Sequence, residues 1–309
     1  MIKKRILIVG CNGLLGQSLV NYFSKRNDVQ IHLASIEDKF IGGDEYDYTS
    51  LDITKRNEVK KLFLEFFPDY VINAAAYTDV DGCEVNREMA WNINVNGVKH
   101  LVEGCRIVDA QIVHLSSDFI FDGNNGPYHE DDKPNPISYY GRTKFASENE
   151  IKIGGVPYLI IRTNVLYGIQ KGVKKDFVEW VIENLEANKS INVVIDQFNN
   201  PTYVEDLVEG IVLAIDKKKT GIYNIAGLEL LSRYDFALKI AEIFDLNKSL
   251  INSIKTIELN QKAKRPLRAG LIILKAQTEL GYKPHKLEEN LIKIKEARVN
   301  RVASNFRKI

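Results

Sequence analysis

A tyrosine and a lysine four residues apart, with a serine upstream, are the side chains of this sequence best suited to proton transfer. Tyr140 and Lys144 project from the same face if the segment that starts near Ser138 is helical. An ammonium group favours a nearby phenolate, so Lys144 is expected to lower the pKa of Tyr140 from its ordinary value of about 10. Ser117 follows an apolar run, which places its hydroxyl at the C-terminal end of a predicted strand, where open α/β sheets bind ligands. These residues predict a general acid beside a hydroxyl donor, although Tyr-x-x-x-Lys alone also fits a surface tyrosine near a lysine.

A glycine-rich loop follows the first predicted strand. The apolar residues 6–9 lead directly into Gly10, Gly13 and Gly16, and an amphipathic stretch continues over 17–25. A strand, a glycine loop and a helix in this order bind a pyrophosphate through backbone N–H groups at the helix N-terminus. The spacing is G-x-x-G-x-x-G rather than G-x-G-x-x-G, and a simple turn is the alternative. We therefore predict a nicotinamide dinucleotide cofactor.

The end of the second strand leaves the choice between NADH and NADPH open. An acid there would favour NAD and an arginine would suit NADP, and residues 34–38 (Ala-Ser-Ile-Glu-Asp) fit neither rule cleanly. Further along, Asp52 is expected to accept a hydrogen bond from the adenine amine, with Ile53 against the ring. Asp52 can also act as an N-terminal acid for a predicted helix over 55–67, and the two roles are compatible.

Composition favours a globular protein without a nucleic-acid or membrane partner. The 309 residues are 45% hydrophobic and 27% charged, and the formal net charge is +1, so no broad electrostatic field points to polyanions. No apolar run approaches 18 residues. Cys11, Cys83 and Cys105 lack metal-ligand spacing and predict reduced thiols in a cytoplasmic protein, with no metal site.

Apolar strand candidates alternate with helical patterns in the first half of the chain. The predicted strands are 5–10, 30–34, 70–74, 111–116 and 157–162. This alternation predicts an α/β, Rossmann-type, doubly wound parallel sheet. The pattern changes after Thr163.

The change of pattern divides the chain into two interleaved parts. We predict a dinucleotide-binding domain over 1–163, to which 203–226 returns. Residues 164–202 and 227–309 are expected to form a smaller C-terminal substrate lobe, with the substrate in the cleft between the two.

Several segments together resemble a known family. They are 73–84 (Asn-Ala-Ala-Ala-Tyr-Thr-Asp-Val-Asp, then Cys83-Glu84), 116–123, 140–144, 161–163, 196–198, 201–202 and 265–266. With them, nearly the whole chain resembles the extended short-chain dehydrogenase/reductases, and within these the dTDP-4-dehydrorhamnose reductase branch of sugar-nucleotide reductases. The resemblance implies NADPH- or NADH-dependent reduction of a nucleoside-diphosphate-linked 4-keto-6-deoxy sugar, in the first place dTDP-4-dehydrorhamnose to dTDP-L-rhamnose.

The resemblance also assigns roles to individual positions. The residues implied to bind the dinucleotide are Gly10, Asn12, Gly13, Leu14, Leu15, Asp52, Ile53, Ala75, Ala76, Tyr77, Thr78, Tyr140 and Lys144. The implied catalytic trio is Ser117, Tyr140 and Lys144. The residues implied at the sugar are Ser117, Asp118, Phe119 and Val165. A homodimer through the helices that flank the catalytic segment is common in the superfamily.

Some positions depart from the pattern of that branch, and other functions stay open. Ser117 stands where threonine is usual, Phe119 where tyrosine is usual, and Val165 where tryptophan is frequent. A sugar-nucleotide epimerase or a reductase of another sugar nucleotide is therefore an alternative. A dehydratase is disfavoured because Asp118 is not followed by glutamate. A non-catalytic regulatory subunit, like that of methionine adenosyltransferase, is a third hypothesis, since that subunit resembles the same branch.

Overall fold

The computed structural model describes residues 3–306, with side chains through residue 299. A seven-stranded parallel sheet forms its centre, in the order β11-β6-β5-β4-β1-β2-β3. The strands of this sheet are β1 (Lys4–Val9), β2 (Val29–Ser35), β3 (Tyr48–Ser50), β4 (Tyr70–Asn73), β5 (Gln111–Ser117), β6 (Tyr158–Thr163) and β11 (Gly221–Asn224). The shorter strands outside it are β7 (Leu166–Tyr167), β8 (Ile191–Val194), β9 (Phe198–Asn199), β10 (Thr202–Tyr203), β12 (Leu231–Ser232) and β13 (Ile251–Ile254).

Helices cover both faces of the sheet. The α-helices are α1 (Leu14–Phe23), α2 (Arg56–Phe66), α3 (Val80–Val85), α4 (Arg87–Trp91), α5 (Val98–Val108), α6 (Tyr139–Ile153), α7 (Phe177–Glu186), α8 (Val204–Asp216), α9 (Arg233–Ile243) and α10 (Leu287–Phe306). The shorter helical turns are 3₁₀ turns at Asp118–Ile120, Lys248–Leu250 and Thr256–Glu258, and π-helical turns at Asn92–Gly97 and Ala276–Leu280. The first π-helical turn joins α4 to α5.

The central strands are apolar on both faces because both faces are covered. Residues Ile6, Leu7 and Ile8 of β1 are fully buried, and they alternate between two separate hydrophobic cores, one on each side of the sheet. Such continuous apolar strands are the expected sequence of a parallel sheet between two helical layers. The five predicted strands are confirmed with ends within one residue, and the doubly wound α/β fold is confirmed. The short edge strand β3 was not predicted, because three half-exposed residues carry little apolar signal.

A third hydrophobic core lies outside the sheet. It joins α7, α9 and α10 around Phe236, and β8 pairs in parallel with β13 beside it. The intervening α8 and β11 belong instead to the sheet, because β11 pairs with β6 and α8 packs on α1. We infer from this arrangement a dinucleotide-binding domain (1–163 with 203–226) and a smaller lobe (164–202 and 227–309). The last three residues of that range, 307–309, lie outside the described part of the chain.

The strand order reverses at β1, which is where such sheets bind ligands. β2 lies on one side of β1 and β4 on the other, so the loops after β1 and β4 diverge and leave a crevice at the carboxyl ends of the strands. Gly10 closes the base of this crevice with φ 82°, and a Cβ there would lie 2.6 Å from the backbone nitrogen of Ala75. Only glycine permits that approach. Within residues 3–306, the longest apolar helices fall short of what crossing a bilayer requires.

Candidate functional site

One cleft of about 600 Å³ opens at this crevice, and most of the predicted site residues line it. Its walls come from the glycine loop, the segment after β4, the end of β5, the start of α6, the segments 163–166 and 172–176, and Arg233. The predicted residues that it brings together are Asn12, Gly13, Leu14, Leu15, Ala76, Thr78, Ser117, Asp118, Phe119, Tyr140, Lys144 and Val165.

Five predicted site residues lie outside the lining of this cleft. Gly10 and Ala75 pack against each other beneath it, and Tyr77 faces a neighbouring depression of about 400 Å³ beside α3. Asp52 lines a separate surface cavity of about 760 Å³. The Ile53 side chain is buried in the core, where a Cβ on Gly97 would lie 2.7 Å from its Cδ1. The structure therefore does not bring the Ile53 side chain to the cleft.

Asp52 lies ahead of α2 but does not cap it, because the N-cap is Lys55, without a side-chain hydrogen bond, and the acid of the first turn is Glu58. Oδ1 of Asp52 accepts hydrogen bonds from the backbone N–H of Thr54 at 2.9 Å and from the Thr54 hydroxyl at 2.7 Å. These bonds form a turn ahead of α2, which begins at Arg56. Asp52 also lines the surface cavity, and its role at the adenine stays a prediction.

The glycine loop fits a pyrophosphate. Gly13 is the N-cap of α1, and no side chain caps this helix, so its first N–H groups face the cleft without a partner from a capping side chain. A Cβ on Gly16 would lie 2.2 Å from the carbonyl oxygen of Gly10, which explains why the loop can fold so tightly only with glycine there. Uncapped N–H groups and the positive end of the helix dipole together form an anion site.

The proposed catalytic side chains occupy two adjoining elements. Ser138 caps α6 by accepting a hydrogen bond from the Gly141 N–H at 3.1 Å, which confirms a helix that begins after Ser138. Tyr140 and Lys144 therefore lie one turn apart on the buried side of α6. Ser117 ends β5 beside them, and the Phe119 ring meets the Tyr140 ring edge-to-face with centroids 5.6 Å apart.

The Lys144 ammonium is held against β5. It donates to the carbonyl oxygen of Leu115 and lies 3.4 Å from Nε2 of His114. Burial lowers the pKa of Lys144 to about 8, and the Glu148 carboxylate opposes this shift. His114 is buried and stays neutral, because burial and the Lys144 charge hold its pKa well below the usual range. Lys144 is thus a cation near neutral pH with little surrounding water.

The structure does not support the expected lowering of the Tyr140 pKa by Lys144. Burial raises the pKa of Tyr140, the Asp118 charge raises it further, and the Ser117 hydroxyl opposes them. The predicted lowering is therefore wrong for the protein alone. The physical reason is that Tyr140 is only 9% exposed and lies in the field of the Asp118 carboxyl group, whereas the ammonium of Lys144 is bound to the Leu115 carbonyl.

A buried carboxyl group and an arginine lie behind the trio. Asp118 Oδ1 accepts a hydrogen bond from the Ser117 hydroxyl at 2.9 Å, while Oδ2 is buried without a partner among the described residues. Burial raises the pKa of Asp118 to about 7, against the lowering effect of Ser117 and of the Arg233 charge. No motif or spacing in the sequence points to Arg233 as a site residue. Its guanidinium lies 4.9 Å from the centre of the Phe177 ring, and burial lowers its pKa to about 10.

An ion pair deep under the cleft fixes α6 to the sheet. Glu148 is fully buried and accepts hydrogen bonds from Arg162 at 2.9 and 3.0 Å and from the Ser116 hydroxyl at 2.6 Å. Arg162 also donates to the carbonyl oxygen of Glu130 at 2.8 Å. Because Glu148 lies one turn after Lys144, the pair holds α6 in register with β5 and β6.

Asn94 connects the segment after β4 to α6. It lies in the π-helical turn Asn92–Gly97 and is 1% exposed. Its Oδ1 accepts from the Tyr77 N–H at 2.7 Å, and its Nδ2 donates at 3.0 Å both to the Tyr77 carbonyl and to the Thr143 hydroxyl. The side chain therefore sets the distance between the two elements.

Val165 and Asn200 form the remaining side of the cleft and its support. Val165 has φ 41°, a left-handed conformation that is costly for a β-branched residue and is found mostly at functional sites. Its carbonyl accepts from the Thr202 N–H at 3.1 Å. Asn200 binds both backbone groups of Leu271, at 2.8 and 3.0 Å. Asn200 thus connects the segment before Pro201 to the distant strand-like segment at Leu271. Among the described residues, no group of three His, Cys, Asp or Glu side chains is arranged to hold a metal ion.

Known proteins align with the chain over almost its full length. The family model described as the RmlD substrate binding domain matches residues 4–299. The dTDP-4-dehydrorhamnose reductase of Aggregatibacter actinomycetemcomitans is 32% identical over 94% of this chain and 98% of its own length. The probable low-salt glycan biosynthesis reductase Agl14 of Haloferax volcanii is 31% identical over 94% and 97%. Methionine adenosyltransferase 2 subunit beta of Bos taurus is 28% identical over 89% and 82%.

Solved structures agree with this alignment. A dTDP-4-dehydrorhamnose reductase from Clostridium acetobutylicum superimposes with a TM-score of 0.86, at 33% identity over 95% of this chain and 99% of the other. A dTDP-4-dehydrorhamnose reductase from Bacillus anthracis, solved in complex with NADP, gives 0.84 at 30% identity with the same coverage. The sheet order, the glycine loop and these matches lead to one assignment: the chain belongs to the RmlD substrate binding domain family.

Proposed function

We propose that this protein reduces a nucleoside-diphosphate-linked 4-keto-6-deoxy sugar with NADPH or NADH, in the first place dTDP-4-dehydrorhamnose to dTDP-L-rhamnose. The observation that supports this most is a single cleft lined both by the uncapped start of α1 and by Ser117, Tyr140 and Lys144. A bound dinucleotide can then extend from the helix N-terminus to the trio. Relatives named as dTDP-4-dehydrorhamnose reductases supply the substrate class.

In the proposed mechanism, Tyr140 is the general acid. The dinucleotide, when bound, supplies the hydride that reduces the carbonyl carbon. Tyr140 donates its phenolic proton to the carbonyl oxygen, a role that contributes about 10²–10⁴-fold in rate. Lys144 binds the nicotinamide ribose hydroxyls and stabilises the phenolate as it forms, because opposite charges lower the energy of the ionised tyrosine. Burial of both side chains excludes water from the proton transfer.

Ser117 and Asp118 have linked roles in this proposal. Ser117 donates to the substrate oxygen, where negative charge develops. Its hydroxyl already donates to Asp118 Oδ1, so Ser117 must exchange one acceptor for the other when the substrate binds. Arg233 faces the same carboxyl and offers a cation to the substrate or to Asp118. We assign Asp118, Phe119 and Val165 to the sugar on the same grounds.

The dinucleotide contacts are also part of the proposal. Asn12, Gly13, Leu14 and Leu15 would hold the pyrophosphate, while Ala76 and Thr78 leave room for the nicotinamide half. Tyr77 would contribute from the neighbouring depression, and Ala75 and Gly10 through their backbone. Asp52 would face the adenine, with Ile53 packed behind it. A cytoplasmic homodimer completes the proposal, and the mass of the protein in solution tests the dimer.

The direct test is absorbance at the nicotinamide band with dTDP-, UDP-, GDP- and CDP-linked 4-keto-6-deoxy sugars. The proposal expects stoichiometric consumption of the reduced cofactor, fastest with the dTDP-linked sugar. Faster turnover of another nucleotide would keep the reaction and change the substrate. Conversion of the sugar without net cofactor consumption would establish the epimerase alternative instead.

The similarity to methionine adenosyltransferase 2 subunit beta supports one further candidate, a non-catalytic regulatory subunit. The intact trio of Ser117, Tyr140 and Lys144 favours the enzyme. The two candidates differ in one result: a regulatory subunit would bind the dinucleotide without oxidising it in the presence of any of the four sugar nucleotides.

A further inference from the structure

Glu37 lies at the mouth of the cleft, two residues after β2. Its Oε2 accepts hydrogen bonds from the Ser35 hydroxyl and, at 3.1 Å, from Nδ2 of Asn12. Asn12 also donates to the Lys39 carbonyl at 3.0 Å and accepts from the Ile41 N–H at 2.9 Å. The segment after β2 is thereby attached to the glycine loop, and the Glu37 carboxylate has a fixed place beside that loop.

The same carboxylate keeps one oxygen available. The described residues give Oε1 of Glu37 no hydrogen-bond donor, and the residue lines the cleft together with Asn12 and Gly13. Partial burial opposes ionisation, but the hydrogen bonds from Ser35 and Asn12 lower the pKa of Glu37. Over residues 3–299, no lysine, arginine or histidine forms a salt bridge with it. Glu37 is thus an ionised, oriented acceptor without a neutralising partner.

We propose that Glu37 makes this protein prefer NADH over NADPH, by accepting a hydrogen bond from the adenosine ribose. The inference rests on the proposed function. An acid beside the glycine loop at the end of the second strand accepts from the ribose 2′-hydroxyl, whereas a 2′-phosphate calls for an arginine. From the sequence alone, residues 34–38 fit neither rule cleanly. The bonds from Ser35 and Asn12 bring the Glu37 carboxylate back to the loop.

A 2′-phosphate at this place would meet the carboxylate directly. Like charges in contact raise each other's energy, and the described neighbours that bind Oε2 are neutral side chains. NADPH can bind only if Glu37 turns away, which breaks the bonds to Ser35 and Asn12, or if it takes up a proton. NADH binds with those bonds intact.

Isothermal titration of the full-length protein with NADH and NADPH tests this without any turnover. The unaltered protein should bind NADH about tenfold or more tightly than NADPH, because one uncompensated charge contact is of that order. Glu37→Gln keeps the size and removes the charge, so its affinity for NADPH should rise about tenfold while NADH binding weakens by less. Asp38→Asn, which neutralises the next carboxylate along the chain, is the matched control and should leave the ratio within about twofold.

The outcomes separate this inference from the proposed function. Equal affinities in the unaltered protein, tighter binding of NADPH, or a ratio that Glu37→Gln leaves unchanged would overturn the role of Glu37 and leave the reductase intact. Failure of both dinucleotides to bind would overturn both. The ratio in the unaltered protein decides the preference even if a variant does not fold.

Discussion

The two walls of the cleft consist of different kinds of chemical groups. The dinucleotide wall, formed by Gly13, Leu14, Ala76 and Thr78 over a base at Gly10, consists of backbone and small side chains, and close packing limits what can replace them. The acid wall, formed by Ser117, Asp118, Tyr140, Lys144 and Arg233, consists of buried titratable and polar groups, each with a shifted pKa or a fixed hydrogen bond.

Because of this difference, the first wall depends mainly on close packing and the second mainly on charge. The dinucleotide wall offers N–H groups and space, so its tolerance to substitution depends on how close the neighbouring backbone lies. The acid wall offers proton donors whose ionisation depends on burial and on one another. A change of one charge therefore shifts the pKa values of the others. Substitutions in the two walls should therefore fail in different ways.

The largest effect is expected in the acid wall from Tyr140→Phe. The variant keeps the ring that packs against Phe119 and loses only the proton donor, so kcat should fall by about 10²–10⁴-fold. Binding of the reduced dinucleotide, measured by calorimetry, should stay within about twofold, because the phenol is not needed for the pyrophosphate contacts. Undiminished turnover would remove Tyr140 from the mechanism.

Removal of the buried charge beneath the acid wall should cost stability. Glu148→Gln leaves Arg162 buried without a counter-charge, and breaking a buried pair from one side typically costs about 3–5 kcal/mol. Urea unfolding measures this. Glu65→Gln, which removes an exposed ion pair with Lys61, is the control and should change the free energy of unfolding by at most about 1 kcal/mol. Similar losses in both variants would contradict the role assigned to the buried pair.

The dinucleotide wall should respond to a single added methyl group. Gly10→Ala forces a Cβ to 2.6 Å from the Ala75 nitrogen at φ 82°, whereas Gly155→Ala meets nothing within 4 Å at φ 69°. Both variants bear the strain of a left-handed residue, so the difference isolates the contact. We expect Gly10→Ala to be about 1–3 kcal/mol less stable than Gly155→Ala in urea unfolding. Equal stabilities would mean that the loop can move away from Ala75.

The most gradual expected effect is a pH dependence of stability that belongs to Asp118, because it is spread over the range between the two pKa values of this group. Its folded pKa is raised from 3.8 to about 7, so the folded protein binds the extra proton between those values. Stability therefore decreases as the pH rises from about 4 to about 7, by at most about 1.4 kcal/mol per pH unit for one proton. Asp118→Asn should flatten this dependence in thermal unfolding. An identical slope in both proteins would assign the proton to another group.

The sequence predicted the dinucleotide wall better than the acid wall. Glycines at a tight turn act locally, and the apolar run of β1 is visible without any knowledge of its neighbours. The start of α6 could be placed at Ser138 for the same reason. The π-helical turn at Asn92–Gly97 could not be predicted, since nothing in a periodic pattern signals one inserted residue.

The electrostatics of the acid wall could not be predicted, because they depend on contacts between distant segments. Arg233 is 115 residues from Asp118 in sequence and reaches it only through the smaller lobe. The direction of the Tyr140 pKa shift depends on where the Lys144 ammonium points. The spacing of the two residues in the chain does not determine that orientation. Glu37 was seen but could not be interpreted, since its place depends on bonds from Ser35 and Asn12.

The π-helical turn that carries Asn94 affects the alignment of the site although it does not line the cleft. A single-residue deletion within Asn92–Gly97 would restore ordinary winding and rotate Asn94 by about 100° around the helix axis. Tyr77 and Thr143 would then lose the hydrogen-bond partner that they share. Cofactor and proton donor could drift out of alignment although every residue that touches either one is unchanged. An insertion or deletion within Asn92–Gly97 would therefore alter the site without changing any residue that lines the cleft.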